Sequence, residues 1–250
     1  MNPETHLRAE ISARRDLSPD LWIIRVRPER RLIFRPGQFA TLALPAGEKL
    51  VERPYSIASC PLEPELEFFL ELVHGGRLTE RLHPLQPGDP VYVRKTAKGS
   101  FTLDEESGHR THLMIATVTG VAPFVSMVRT MQHVDGKRGG GHRVILLQGA
   151  SRSWELGYEE ELSRMKQDTT GFRYVPTVSR PAEDPSWQGQ RGRVHEIIRE
   201  QLEAVRFDST DTTAYLCGHP GMIAAAREIL AGAGLDGASI REERFWVPGL

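Results

Sequence analysis

The spacing of apolar residues changes once along this 250-residue chain, near residue 104, and the change constrains the fold more than any other feature. Before it, short apolar runs are separated by turn residues, a pattern that is typical of a β-barrel or sandwich. After it, apolar strands alternate with helical segments, which indicates a parallel sheet covered by helices on both faces. We therefore predict a two-domain protein, with an antiparallel β-barrel over residues 1–104 and an α/β domain with a parallel sheet over residues 105–250.

The individual elements follow from the same periodicity. The first half predicts strands over residues 21–26, 39–44, 66–73 and 91–93, and a short helix over residues 78–85 with Thr79 as its N-cap. The second half predicts strands over residues 113–116, 143–148, 172–178 and 214–217, and helices over residues 123–133, 155–166, 194–205 and 222–233.

Composition and cysteine content exclude several classes of function. The formal net charge of −1 gives no general attraction to nucleic acid or to a membrane. The first residues lack the apolar core of a secretory signal, and no apolar run is long enough to span a bilayer. We therefore expect a cytoplasmic protein, with a monomer as the default. The chain has two cysteines, Cys60 and Cys217, whereas an iron–sulfur cluster takes four, so any such cluster is expected on another protein.

One candidate site lies in the first half. Arg53-Pro54-Tyr55-Ser56 places a guanidinium fork, which matches phosphate oxygens, two residues from an aromatic ring. Gly75-Gly76-Arg77-Leu78-Thr79 is a glycine turn at a predicted helix start, where backbone N–H groups can bind an anion. An arginine, a tyrosine and such a turn on a β-rich half suit a flat, anionic flavin cofactor. The alternative is an ordinary edge strand whose arginine is solvated and whose tyrosine belongs to the core.

A second candidate site lies in the second half. Thr119-Gly120-Val121-Ala122-Pro123 follows a predicted strand and precedes a helix, which is the context of a dinucleotide-binding turn. Cys217-Gly218-His219-Pro220-Gly221-Met222 begins where another predicted strand ends. Parallel α/β sheets bind ligands beyond the carboxyl ends of their strands, so both segments suit a nicotinamide dinucleotide. For Cys217 the alternative is a buried, inert thiol.

Taken in this order, the segments resemble the ferredoxin–NADP reductase family, particularly its bacterial branch, over about residues 9–246. The resemblance implies that Arg53 pairs with the FAD pyrophosphate, that Tyr55 packs on one face of the isoalloxazine ring, and that Ser56 donates a hydrogen bond near flavin N5. It assigns FAD contacts to Arg53, Pro54, Tyr55, Ser56, Ile57, Val73, Gly76, Leu78 and Thr79.

The resemblance also implies an NADP(H) site. Its residues are Thr119, Gly120, Ala122, Pro123, Arg152, Ser179, Arg180, Arg193, Cys217 and Gly218. Cys217 is implied to lie beside nicotinamide C4 and to shape the site without acting as a nucleophile. Arg180 and Arg193, with Arg152 in a segment one residue shorter than the pattern, are implied to hold the 2′-phosphate. This set predicts a preference for NADPH over NADH.

Val118 departs from the family pattern, which usually has glycine at this position. A β-branched residue adopts positive φ poorly. Either the turn starts later, near Gly120, or pyrophosphate binding is weakened.

The carboxyl end, Glu242-Glu243-Arg244-Phe245-Trp246, resembles the end of the family's chains, where an aromatic ring covers the flavin face opposite Tyr55. Phe245 matches that ring best, Trp246 is its neighbour, and Glu243 is a candidate proton relay. The alternative is a frayed terminus.

The resemblance predicts an enzyme of the ferredoxin–NADP⁺ reductase type, in which NADPH delivers hydride to FAD and ferredoxin or flavodoxin receives single electrons. The implied catalytic residues are Ser56, Cys217, Glu243 and Phe245. Two alternatives stay open: a reductase component that feeds an oxygenase, and a flavin reductase without a protein partner. A more distant alternative is a non-catalytic nucleotide-binding subunit, which Val118 favours.

Overall fold

The computed structural model describes residues 5–135 and 141–245. Its chain divides into two compact units, residues 1–102 with residues 122–130, and residues 103–121 with residues 131–250. Since neither unit is one continuous stretch, the predicted division into residues 1–104 and 105–250 stays a prediction.

The first unit is built from antiparallel strands. They are β1 (His6–Ser18), β2 (Leu21–Pro28), β3 (Phe39–Ala46), β4 (Lys49–Ser56), β5 (Leu66–Glu71) and β6 (Pro90–Arg94), with helix α1 (Thr79–Leu82) between β5 and β6. The six strands form one sheet in the order β4-β3-β6-β1-β2-β5. Just beyond β4, Ala58 donates a backbone hydrogen bond to Glu67 of β5 at 2.8 Å, which joins the two edges of the sheet as in a barrel. The core includes Trp22, Ile24, Leu42, Phe68, Leu70 and Val93.

Strand β1 is absent from the sequence prediction. Its buried face rests on Leu7, Ala9 and Ile11, and the residues between them are charged or polar, so the apolar signal is weak. Four short strands are therefore correctly expected, and the 13-residue strand that pairs with both β2 and β6 is missed.

Helix α1 is shorter than the predicted helix over residues 78–85, and its N-cap residue is Leu78 rather than Thr79. The prediction of Thr79 as the cap is wrong because the Thr79 hydroxyl is engaged elsewhere. It accepts the Val73 N–H and donates to the Val73 carbonyl, both at 3.2 Å.

The second unit is built around a parallel sheet. Its strands are β7 (Thr111–Thr117), β8 (Arg143–Ala150), β9 (Phe172–Val178), β10 (Gln190–Arg191), β11 (Thr212–Gly218) and β12 (Ile240–Arg244). The helices of this half of the chain are α2 (Ala122–Asp135), α3 (Glu159–Asp168), α4 (Ile198–Ala204) and α5 (Pro220–Gly232). All strand pairings in this sheet are parallel. The predicted fold class, an antiparallel β-domain followed by a parallel α/β domain, is confirmed.

The strand order of the parallel sheet, β10-β9-β8-β7-β11-β12, contains a reversal. From β7 the chain moves outward through β8, β9 and β10, and it then returns to the other side of β7 as β11. Ligands of open parallel sheets bind at such a reversal, beyond the carboxyl ends of the strands. The carboxyl ends of β7 and β11 are therefore the expected ligand-binding edge.

Several boundaries differ from the prediction. Helix α3 begins at Glu159 because Ser153–Glu155 form a separate 3-10 turn, and α4 begins at Ile198 rather than at residue 194. The short β10 and the charged β12 are absent from the prediction. None of the described helices has the length and apolar character that a membrane crossing requires.

Candidate cofactor-binding sites

Strand β4 presents Arg53 and Tyr55 on one face, since side chains two residues apart on a strand point the same way. Tyr55 is half-buried and packs against the barrel core, whereas Arg53 is exposed. The Arg53 guanidinium donates to the Glu52 carbonyl at 2.7 Å, and no carboxylate among the described residues pairs with it. Burial raises the pKa of Tyr55 above its usual value although the nearby Arg53 charge opposes this, so the phenol stays protonated. Pro54 is tolerated because β4 is an edge strand.

The end of β4 is held firmly. Ser56 is buried, and Ile57 is fully buried and donates its N–H to the Gln38 carbonyl at 3.0 Å. These contacts fix the backbone that carries the Ser56 hydroxyl.

The turn from Val73 to Thr79 requires both of its glycines. Gly75 has a φ of +76° and donates its N–H to Glu80 Oε1 at 2.6 Å. A Cβ on Gly76 would lie 2.5 Å from both Thr79 Oγ1 and the Val73 carbonyl oxygen. With the buried Leu78, these contacts make a tight turn that leads into α1.

The carboxyl ends of β7 and β11 come together at the reversal of the sheet. The 3-10 turn Val118–Val121 follows β7, and a Cβ on Gly120 would lie 2.4 Å from the Cys217 carbonyl oxygen. Only glycine allows this approach of the turn to β11. Val118 has a φ of +43°, so the first position of the turn adopts the left-handed conformation despite its β-branched side chain. Ala122 and Pro123 begin α2, where the missing proline N–H costs no hydrogen bond.

Thr117 is a site residue that the sequence analysis did not identify. Its hydroxyl accepts the His219 N–H at 2.9 Å and thereby joins the ends of β7 and β11. Gly218 has a φ of +126°, and a Cβ there would lie 2.2 Å from Thr117 Oγ1. A threonine as the last residue of a strand, directly before a suspected dinucleotide turn, is the signal that could have identified it.

Cys217 is fully buried and is a free thiol, as is Cys60. Burial, with a smaller contribution from Glu243, raises the pKa of Cys217 well above its usual value. The thiol is therefore protonated near neutral pH and is a poor nucleophile.

Strand β12 brings the carboxyl-terminal candidates to the same edge. Glu243 pairs with Cys217 in the register of β11 and β12, and the half-buried Phe245 donates its N–H to the Gly218 carbonyl at 3.0 Å. Trp246 lies outside the described residues.

The arginines predicted to hold a 2′-phosphate lie beyond strand ends. Arg152 follows β8 and Arg180 follows β9, and the two are linked because Arg180 donates its N–H to the Ser151 carbonyl at 3.0 Å. Ser179 donates its N–H to the Ala150 carbonyl at the same edge, also at 3.0 Å. Arg193 follows β10, and its backbone N–H donates to Glu196 Oε2 at 2.8 Å.

Comparisons with known proteins agree with both halves. The FAD-binding domain of oxidoreductases matches residues 8–102, and the NAD-binding domain of oxidoreductases matches residues 114–228. The reductase component of phenol 2-monooxygenase from Pseudomonas sp. (strain CF600) is 32% identical over 98% of this chain and 67% of that protein. Ferredoxin–NADP reductase B from Sorangium cellulosum is 32% identical over 86% of this chain and 87% of that protein.

A solved structure matches in fold. A ferredoxin NADP⁺ reductase from Neisseria gonorrhoeae, determined with bound FAD and NADP, has a TM-score of 0.82 at 23% identity and covers 96% of this chain and 99% of that one. With the two domain matches and the relatives above, this makes the chain an oxidoreductase with an FAD-binding and an NAD(P)-binding domain, and it belongs to the ferredoxin–NADP reductase family.

Proposed function

We propose that this protein is an NADPH-dependent FAD reductase that supplies single electrons to ferredoxin or flavodoxin. The observation that carries the proposal is the edge formed by Cys217, Gly218, Glu243 and Phe245 beside the turn after β7. A protonated thiol, a glycine and an aromatic residue at a sheet reversal suit a neutral, flat nicotinamide ring.

The residues of the first unit fit FAD. Arg53 has an exposed guanidinium without a carboxylate partner among the described residues, so it is available to a pyrophosphate. The protonated Tyr55 offers a neutral aromatic face to the isoalloxazine ring, and the fixed backbone at Ser56 would orient its hydroxyl toward N5. The turn ending at Thr79 would approach the pyrophosphate through backbone N–H groups other than those of Gly75 and Gly76, which donate to Glu80 Oε1 and to the Val73 carbonyl. Bound FAD would supply the link between two-electron hydride chemistry and single-electron transfer.

In the second unit, the nicotinamide ring would be bound through shape complementarity rather than through charged groups. Cys217 contributes an uncharged wall, since its thiol stays protonated. Thr117 and Gly120 keep the turn close to β11, and Gly218 allows the close approach of the Thr117 hydroxyl. Arg152, Arg180 and Arg193 would supply the positive charge for the 2′-phosphate.

We propose an acidic carrier protein, ferredoxin or flavodoxin, as the electron acceptor. Exposed basic residues on the first unit suit an acidic carrier protein; they are Arg30, Arg31, Arg35, Lys49 and Lys98, with the half-buried Lys95. A cytoplasmic location and a monomeric state belong to the same proposal. A second candidate is a reductase component that feeds an oxygenase, and the 32% identity to the phenol 2-monooxygenase reductase over 98% of this chain favours it.

The first test uses the purified protein under nitrogen. We expect a flavin spectrum that NADPH bleaches faster than NADH at equal concentration. A colourless protein that fails to take up FAD would end the proposal, and bleaching by NADH alone would remove its NADPH component. Transfer of electrons to an oxygenase component but not to ferredoxin or flavodoxin would select the second candidate.

A further inference from the structure

The two arginines beyond β8 and β9 share one carboxylate. Glu183 makes an ion pair with Arg152, and Glu183 Oε1 lies 3.9 Å from Arg180 Nη1. Arg152 also pairs with Glu155 at 3.2 Å. The charges of Arg152 and Arg180, two of the three arginines expected to hold a 2′-phosphate, are therefore already paired with acidic side chains.

The position of Glu183 is fixed by its backbone. It ends the 3-10 turn Pro181–Glu183, and the next residue, Asp184, is 2% exposed. Asp184 accepts the Ser153 N–H at 2.8 Å and the Ser186 hydroxyl at 2.9 Å. The turn that carries Glu183 is thus tied directly to the loop that carries Arg152.

The Glu183 carboxylate itself remains free to leave. Its side chain is 50% exposed, and its only partners among the described residues are the two arginines. Glu155 is less free, since it is 14% exposed and also accepts the Ser151 N–H at 2.8 Å. A phosphate dianion that approaches Arg152 and Arg180 would therefore displace Glu183 first, into water.

We propose that Glu183 is a specificity-determining residue, which competes with the 2′-phosphate for Arg152 and Arg180 and so reduces the preference for NADPH over NADH. The inference rests on the proposed role of these arginines in dinucleotide binding. With Glu183 in place, a dinucleotide without the phosphate leaves the ion pairs of Arg152 and Arg180 intact, whereas NADPH must first break one of them. Removing the Glu183 charge should tighten binding of the phosphorylated nucleotide alone.

The test compares E183Q with wild type, both loaded with FAD. Calorimetric titrations would use NADP⁺, NAD⁺, 2′,5′-ADP and 5′-AMP. We expect E183Q to bind NADP⁺ and 2′,5′-ADP about 1.5- to fivefold more tightly, the range of an exposed ion pair, with NAD⁺ and 5′-AMP unchanged. E160Q is the matched control, because Glu160 forms an exposed ion pair with Arg164 on α3 at 2.9 Å. E183A is a second variant without the carboxylate. A thermal unfolding temperature equal to that of wild type would show that its effect does not come from a local folding defect.

The outcomes separate this inference from the proposed function. If wild type prefers NADP⁺ and neither E183Q nor E183A changes that preference, the role of Glu183 is wrong and the proposed function stands. If wild type prefers NAD⁺ and E183Q gains affinity for NADP⁺, the competing role of Glu183 is confirmed and the proposed NADPH preference is wrong. If no variant discriminates 2′,5′-ADP from 5′-AMP, the role of Glu183 and the proposed NADPH preference are both wrong, since the arginines then do not bind a 2′-phosphate.

Discussion

Substitutions at Val118 test whether the turn after β7 has a strained, left-handed backbone at this position. Among the described residues, only Val118 and Arg206 are non-glycine residues with positive φ. Left-handed backbone costs an L-residue about 1–2 kcal/mol, and glycine escapes this cost. The V118G variant should therefore gain stability from its backbone, while V118A keeps the strain.

Shortening the Val118 side chain lowers stability, which opposes the backbone gain of glycine. Val118 is half-buried against Ala150, Leu156 and Val178. At about 0.8 kcal/mol per fully buried methylene, V118A should lose about 1 kcal/mol and V118G a few tenths more. Glycine also loses about 0.5–1 kcal/mol in chain entropy. The balance places V118G between about 0.3 kcal/mol less stable and about 1 kcal/mol more stable than V118A.

Urea denaturation of the FAD-loaded variants, followed by circular dichroism, measures this difference. The control is A224G in helix α5, an exposed position where glycine should cost about 1 kcal/mol relative to alanine. If V118G falls below V118A by as much as A224G falls below wild type, Val118 carries no left-handed strain and the description of the turn is wrong.

Further predictions test the other parts of the molecule. R53A should weaken FAD binding by about 1.5–3 kcal/mol, the range for a hydrogen bond to a charged group, while R164A should not; equal affinities in a fluorescence titration would contradict the role of Arg53. C217A should slow flavin reduction by about tenfold in single-turnover absorbance measurements without changing FAD affinity, and an unchanged rate would make Cys217 a core thiol only. Burial, with a smaller contribution from His142, lowers the pKa of His112 from 6.5 to about 4. Between these pH values the unfolded chain therefore binds more protons than the folded chain. The free energy of unfolding is highest above pH 6.5 and falls by at most about 3 kcal/mol as the pH drops to 4. H112Q should show a flatter pH dependence of the urea midpoint, and a slope equal to that of wild type would remove His112 as the cause.

The fold could be predicted because its signals are local. Apolar runs separated by turn residues identify β2, β3, β5 and β6, and the alternation of strands and helices identifies the parallel sheet. Strands β1 and β12 were missed because charged and polar residues fill much of their sequences, and pairing with neighbouring strands determines their structure.

The candidate site residues also fall into those with a local sequence signal and those that depend on contacts between distant parts of the chain. Gly76, Gly120 and Gly218 stand out in the sequence because glycine at a turn has few structural explanations, and each has a close backbone or side-chain approach. Thr117 and Glu183 carry no such signal. Thr117 contacts a residue 102 positions away, and its one sequence signal is its place at the end of a strand before the suspected turn. Glu183 pairs with an arginine 31 positions away, which only the folded chain reveals.

The proposed function requires that electrons from NADPH leave this protein singly, to a carrier protein. The most direct measurement is the anaerobic NADPH-dependent rate of reduction of ferredoxin and of flavodoxin, compared with free flavin at equal concentration. We expect kcat/KM for at least one carrier protein to exceed that for free flavin by about tenfold or more, with NADPH preferred over NADH. Rates for free flavin that equal or exceed those for both carriers would contradict the account and indicate a flavin reductase.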